Sequence, residues 1–132
     1  MNKERLIRAA KEARANAYAP YSGFKVGAAV LTKSGRVFSG ANVENAAYPV
    51  SRCAEQIAVG AMVTAGEREI AAVVVYTGAS PPAAPCGACR QVIAEFAGPE
   101  TPIICTNDRG EEVRYTLGEL LPAAFSLSPK SK

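Results

Sequence analysis

The run Ile70-Ala-Ala-Val-Val-Val-Tyr-Thr77 carries no polar alternation. A strand with one wet face alternates apolar and polar residues, whereas a strand covered on both faces reads as an unbroken apolar run. The run therefore belongs inside a sheet with a layer on each side, and the flanking segments have to supply those layers.

They do so in order. Lys3 to Ala17 places Leu6, Ile7, Ala10, Ala13 and Ala17 on one side at helical spacing and ends at the turn signals Ala19-Pro20-Tyr21-Ser22-Gly23. Phe24 to Thr32 and Arg36 to Val43 read as two strands joined by the turn Lys33-Ser34-Gly35. Ser51 is placed to cap a helix from Arg52 to Ala65, with Gly66 as its stop. After the central strand and a Pro-rich loop, Gly87 to Ala97 reads as a helix, and Pro102 to Thr106 and Glu112 to Thr116 as strands. Leu117 to Leu121 forms a last helical turn before Pro122. The strand-helix alternation in the middle predicts parallel neighbours with crossover helices, and the opening hairpin makes the sheet mixed. The expected fold class is α/β: a three-layer α-β-α sandwich on a mixed sheet of roughly five strands.

Length and composition narrow the function. The chain has 132 residues, 48% of them hydrophobic, which suits one compact domain. No repeat or linker divides it, so residues 1–126 read as one domain and 127–132 as a flexible tail. No stretch approaches the roughly 18 apolar residues of a membrane span. The charged start, Met1-Asn2-Lys3-Glu4-Arg5, lacks a signal-peptide core, so a cytoplasmic protein without a membrane partner is expected. The net charge is +3 with scattered basic residues, which speaks against a nucleic-acid partner.

The four cysteines and the absence of histidine carry the chemistry. A reducing compartment argues against disulfides, and the uneven grouping points to metal or redox use. Cys53 lies near the start of one expected helix, Cys86 at the cap of the next, and Cys89 one turn further in. Helix amino ends carry free N–H groups and the positive end of the dipole, which favour thiolate. If both helices lie on one sheet face, three thiolates converge. Three ligands with an open fourth position suit a catalytic zinc, whose bound water is acidified. Glu55, two residues beyond Cys53, is placed to carry protons there.

Cys53-Ala54-Glu55 followed by Pro85-Cys86-Gly87-Ala88-Cys89 resembles the zinc-deaminase signature in its all-cysteine form. Tyr18-Ala19-Pro20-Tyr21-Ser22-x-Phe24-x-Val26-Gly27-Ala28-Ala29, Gly40-x-Asn42-x-Glu44-Asn45-Ala46 and Leu120-Leu121-Pro122-x-Ala124-Phe125 are similar to the small homotetrameric cytidine deaminases, from about Lys3 to Phe125. The resemblance implies one Zn²⁺ per subunit on Cys53, Cys86 and Cys89, with Glu55 as general acid and base. It implies sugar contacts from Asn42 and Glu44, packing by Phe24, and reading of the pyrimidine edge by the Ala54 backbone. Ala46, Tyr48 and Phe125 match positions supplied by neighbouring subunits, so a homotetramer with shared sites is expected. The implied reaction is hydrolytic deamination of cytidine and deoxycytidine in pyrimidine salvage.

One position departs from the pattern. The family often has Arg after Cys-Ala-Glu, where this chain has Gln56. Arg90 matches a second family arginine that donates to a thiolate, and Arg52 is the candidate to cover the missing charge. Other readings compete at single motifs. Cys86-Gly-Ala-Cys89 alone fits a redox dithiol, yet that leaves Cys53-Ala-Glu55 unexplained. Cys105 completes a structural four-cysteine zinc site only on paper, since it sits in an apolar run that suits a core thiol. A blasticidin-type deaminase shares the zinc motif, but the Tyr-Ala-Pro-Tyr-Ser and Asn-x-Glu-Asn-Ala segments speak against it.

Overall fold

The computed structural model describes residues 1–127, so all of the expected tail except Leu127 lies outside the described residues. The chain runs α1 (Lys3–Ala15), β1 (Gly27–Thr32), β2 (Val37–Ala41), a 3-10 turn (Tyr48–Val50), α2 (Ala54–Thr64), β3 (Ile70–Thr77), α3 (Gly87–Ala94), β4 (Pro102–Asn107), β5 (Glu112–Thr116) and α4 (Leu117–Leu120). The sheet order is β2-β1-β3-β4-β5.

The central strand divides its side chains as its composition predicts. Val73 and Val75 face a core built with Ala54, Ala58 and Met62 of α2, Ile93 of α3 and Leu117 of α4. Ala72, Val74 and Tyr76 face the opposite core, closed by Leu6 and Ala10 of α1. Period-2 alternation along one strand thus feeds two cores, and the three-layer α-β-α sandwich follows.

Parallel pairing is narrower than expected. Among the strands of the described residues it joins β3 to β4, whereas β1 lies between β2 and β3 and is antiparallel to both. The tight turn at Lys33–Gly35 keeps β1 beside β2, and α2 crosses over both strands before β3 adds to the far edge of β1.

Several boundaries also differ, each for a local reason. The first helix stops at Ala15 because Tyr18 turns its N–H to the Asn42 carbonyl at 3.0 Å. The first strand begins at Gly27, not Phe24, because the Asn42 side chain takes the backbone that a ladder would use. Its Oδ1 accepts the Val26 N–H at 2.9 Å and its Nδ2 donates to the Phe24 carbonyl at 2.8 Å. The second helix is capped by Cys53, not Ser51. Arg52 exchanges backbone hydrogen bonds with Val43 (2.9 and 3.0 Å), which holds the chain extended, and the Ser51 hydroxyl instead accepts the Asn45 N–H at 2.9 Å. The third helix ends at Ala94, three residues short of Ala97, and the Phe96 carbonyl accepts the N–H of Ile70 at 2.9 Å.

Candidate metal centre

Both α2 and α3 lie on the same face of the sheet and begin at the same end of it. Their caps are cysteines in extended backbone, Cys53 (φ −76°, ψ 155°) and Cys86 (φ −67°, ψ 167°), and neither cap side chain accepts a first-turn backbone N–H of its helix. A Ser or Asp there would spend its oxygen on the first-turn N–H groups. Cysteine leaves those groups and its own sulfur available.

The Sγ atoms of Cys53 and Cys86 are 3.9 Å apart, those of Cys86 and Cys89 3.3 Å, and all three lie within 4.8 Å of one another. A tetrahedral zinc with Zn–S bonds of about 2.3 Å requires S···S separations of about 3.8 Å. The Cys53–Cys86 separation matches that requirement and the Cys86–Cys89 pair is somewhat closer, so the donor type fits zinc and the spacing needs only a small adjustment. All four cysteines are free thiols. Cys105 stands outside the cluster, buried in the core on the same sheet face, and burial pushes its thiol up to about 12.

Charge is shared unevenly among the sulfurs. A hydrogen bond from Cys89 draws the Cys53 thiol down to about 6, helped by Cys86 and by the Arg52 guanidinium. The same hydrogen bond, together with burial, pushes Cys89 upward. Glu55, in the first turn of α2, is 4% exposed, and burial raises its carboxyl to about 7.

A cavity of about 330 Å³ opens over this cluster. It brings together Cys53, Ala54, Glu55, Cys86 and Arg52 from the metal end with Phe24, Asn42 and Glu44 from the strand ends. Glu44 accepts the backbone N–H groups of Tyr21 and Ser22, and the Ser22 hydroxyl holds its carboxyl below the usual range. Ala46, Tyr48 and Phe125 do not line it. Tyr48 stands 71% exposed over a neighbouring groove, edge-on to Tyr21, and Phe125 is 69% exposed, its carbonyl tied to Gln91. Arg90 donates from Nε to the Pro85 carbonyl and from Nη1 to the Leu120 carbonyl, both at 2.8 Å. It clamps the loop before Cys86 to α4.

Sequence reasoning marked Gln56 only as the replacement of an expected Arg, not as a donor to sulfur, and did not find Thr77. Gln56 donates from Nε2 to Cys89 Sγ at 3.7 Å, a contact that only the third dimension reveals. Thr77 closes the cavity beside Val75, and strand period already put the two on one face.

Fold and site together define an α/β sandwich carrying a three-thiolate metal centre at paired helix amino ends. Residues 1–105 match the family described as the cytidine and deoxycytidylate deaminase zinc-binding region, and the chain belongs to that family. A cytidine deaminase of Sporosarcina psychrophila is 46% identical over 126 residues, covering 96% of this chain and 93% of that one. A cytidine deaminase of Halalkalibacterium halodurans is 44% identical over 126 residues, covering 96% of each chain. Among solved structures, the cytidine deaminase of Burkholderia pseudomallei superposes with a TM-score of 0.90 at 49% identity, covering 95% of this chain and all of that one. Zinc is the cofactor of this family's binding region, and the cysteine cluster has the chemistry to hold it.

Proposed function

We propose that the protein hydrolytically deaminates cytidine and deoxycytidine, giving uridine or deoxyuridine and ammonia, as a step of pyrimidine salvage. The observation that carries this reading is a cluster of three cysteine sulfurs, two of whose residues line the same cavity as one buried carboxyl. Cys53, Cys86 and Cys89 would hold the zinc, which when bound would acidify a water to serve as nucleophile near neutral pH. The reaction adds water across C4 and N3 of the pyrimidine and then expels the C4 amine. Glu55 carries the protons: it takes one from the water, gives it to N3, and later serves the departing amine. Its burial excludes bulk water from that transfer.

The opposite end of the cavity selects a nucleoside. Asn42 and Glu44 offer donors and acceptors to sugar hydroxyls, Phe24 packs against the ligand, and the Ala54 backbone reads the base edge. A free base would forgo the sugar contacts to these groups, so it is a poor substrate. Residues 1–126 act as one deaminase domain, and Arg52 and Arg90 support the thiolate cluster. The exposed aromatics Tyr48 and Phe125, with Ala46, are assigned to sites completed between subunits of a homotetramer in the cytoplasm. Large aromatic side chains left bare on the surface favour such an assembly.

Zinc-replete protein is assayed by the absorbance change of cytidine, deoxycytidine, cytosine and cytidine monophosphate. Turnover of both nucleosides and not of the base is expected, and failure to turn over either nucleoside overturns the reading. Glu55→Gln keeps its zinc and loses turnover by about 10²- to 10⁴-fold. Light scattering of the same sample reports whether four chains assemble.

A further inference from the structure

Both carboxylate oxygens of Glu44 are engaged by one short loop. Oε1 accepts the backbone N–H groups of Tyr21 (2.9 Å) and Ser22 (3.1 Å), and Oε2 accepts the Ser22 hydroxyl. The Ser22 oxygen in turn accepts the N–H of Phe24 at 3.0 Å. A hydroxyl has one proton and two lone pairs. With a lone pair committed to Phe24, its proton is directed at the carboxylate. Gly23 makes this reach possible, since its φ of +68° folds the chain back between Ser22 and Phe24, a conformation costly for other residues.

The far side of Phe24 is also held. Its carbonyl accepts from Asn42 Nδ2, whose Oδ1 receives the Val26 N–H. Glu44, Ser22, Phe24 and Asn42 are thus consecutive links of one hydrogen-bonded chain in the cavity lining. Removing Ser22 opens it at the link between the carboxylate and the Phe24 backbone.

We infer that Ser22 is a positioning residue for the sugar end of the site, its hydroxyl fixing the Glu44 carboxylate and the Phe24 backbone relative to one another so that a ribose-class ligand meets a preformed acceptor. The inference rests on the reading of Glu44 as a sugar contact. Glu44 is partly exposed, so water replaces Ser22 when the hydroxyl is lost. The carboxylate keeps its charge and loses its fixed direction. Such a loss falls on binding that substrate and transition state share, which raises KM and spares kcat.

The test uses zinc-replete enzyme with cytidine and the variants Ser22→Ala, Ser22→Thr, Glu44→Ala and the double variant Ser22→Ala/Glu44→Ala. Ser22→Ala is expected to raise KM about ten-fold, the scale of one hydrogen bond to a charged group, while kcat stays within about two-fold. Zinc content and melting temperature stay at the parent's values, and Ser22→Thr, which keeps the hydroxyl, restores KM. Because Ser22 acts through Glu44, the double variant is no worse than Glu44→Ala alone. A raised KM in Glu44→Ala with an unchanged KM in Ser22→Ala overturns the inference and leaves the sugar reading intact. Independent, multiplying effects in the double variant overturn it too. An unchanged KM in Glu44→Ala removes the sugar reading, and the role of Ser22 falls with it.

Discussion

Gln56 donates through Nε2 to the Sγ of Cys89 at 3.7 Å, where relatives with Arg at this position would bring a full positive charge. Zinc with three thiolates is net negative, and a donor to sulfur withdraws part of that charge. An amide does this with a dipole alone. Arg52 is one source of positive charge: its guanidinium, held by the carbonyls of Pro49 and Ser51, lowers the Cys53 thiol. Gln56→Leu, which keeps volume and removes the donor, is expected to weaken zinc about ten-fold in competition with a chromogenic chelator. Arg52→Ala is expected to weaken it in the same direction by a smaller factor. If Arg52→Ala leaves both zinc affinity and turnover unchanged, Arg52 does not compensate for Gln56.

The Cys105 thiol packs among Val73, Val75 and Ile103 and contributes no sulfur to the cluster. Cys105→Ala therefore retains one zinc per chain by atomic absorption. It removes a buried atom of about methylene size and costs about 1 kcal/mol in denaturant unfolding. Loss of the zinc itself would make the centre a four-cysteine one.

The two-core sheet was legible in Ile70–Thr77, because a strand buried on both faces has no choice of composition. The converging thiolates were legible for a similar reason: helix starts on one sheet face bring their caps together wherever the loops run. Less legible were positions where a side chain competes with the backbone ladder. Asn42 consumes the hydrogen bonds that would have begun β1 at Phe24, and the Arg52–Val43 bridge delays α2 until Cys53. No local pattern announces either, since both partners are distant in sequence. The insertion of β1 between β2 and β3 depends on where α2 crosses, which periodicity does not encode. For Tyr48 and Phe125 the limit is different, because one chain leaves both rings facing solvent.

Gly40 on β2 sets how closely α2 can approach. A Cβ there would meet the Ala58 nitrogen at 2.6 Å, the Ala54 carbonyl oxygen at 2.7 Å and the Ile57 Cβ at 2.9 Å. Two of these are backbone atoms of the turns that carry Glu55, so the helix itself has to move. Gly40→Ala is expected to destabilise by about 1–3 kcal/mol, the range of overpacked cores. Turnover should fall further than partial unfolding explains, because a small displacement of a proton carrier is costly. Melting scans and kcat on the folded fraction separate the two effects. A variant with parental stability and activity would mean that the contact yields freely.

The loop that delivers Cys86 is fastened at its far end by Glu111. Its carboxylate accepts the Ser80 hydroxyl at 2.6 Å and Asn107 Nδ2 at 2.8 Å, and Asn107 also donates to the Ala79 carbonyl. The Ser80 and Asn107 hydrogen bonds hold the Glu111 carboxyl below its ordinary 4.5, with Arg109 adding to the effect. A carboxyl whose folded value lies below its unfolded one binds fewer protons in the native state. Its contribution is therefore complete above about pH 4.5 and is lost as pH falls through the depressed value. Glu111→Gln keeps the shape and removes the titration. The variant should be less stable than the parent at pH 7, and the gap should close as pH falls below about 4.5. Urea midpoints taken from pH 7 to pH 3 check this, and parallel curves would show that Glu111 has no part in the acid limb.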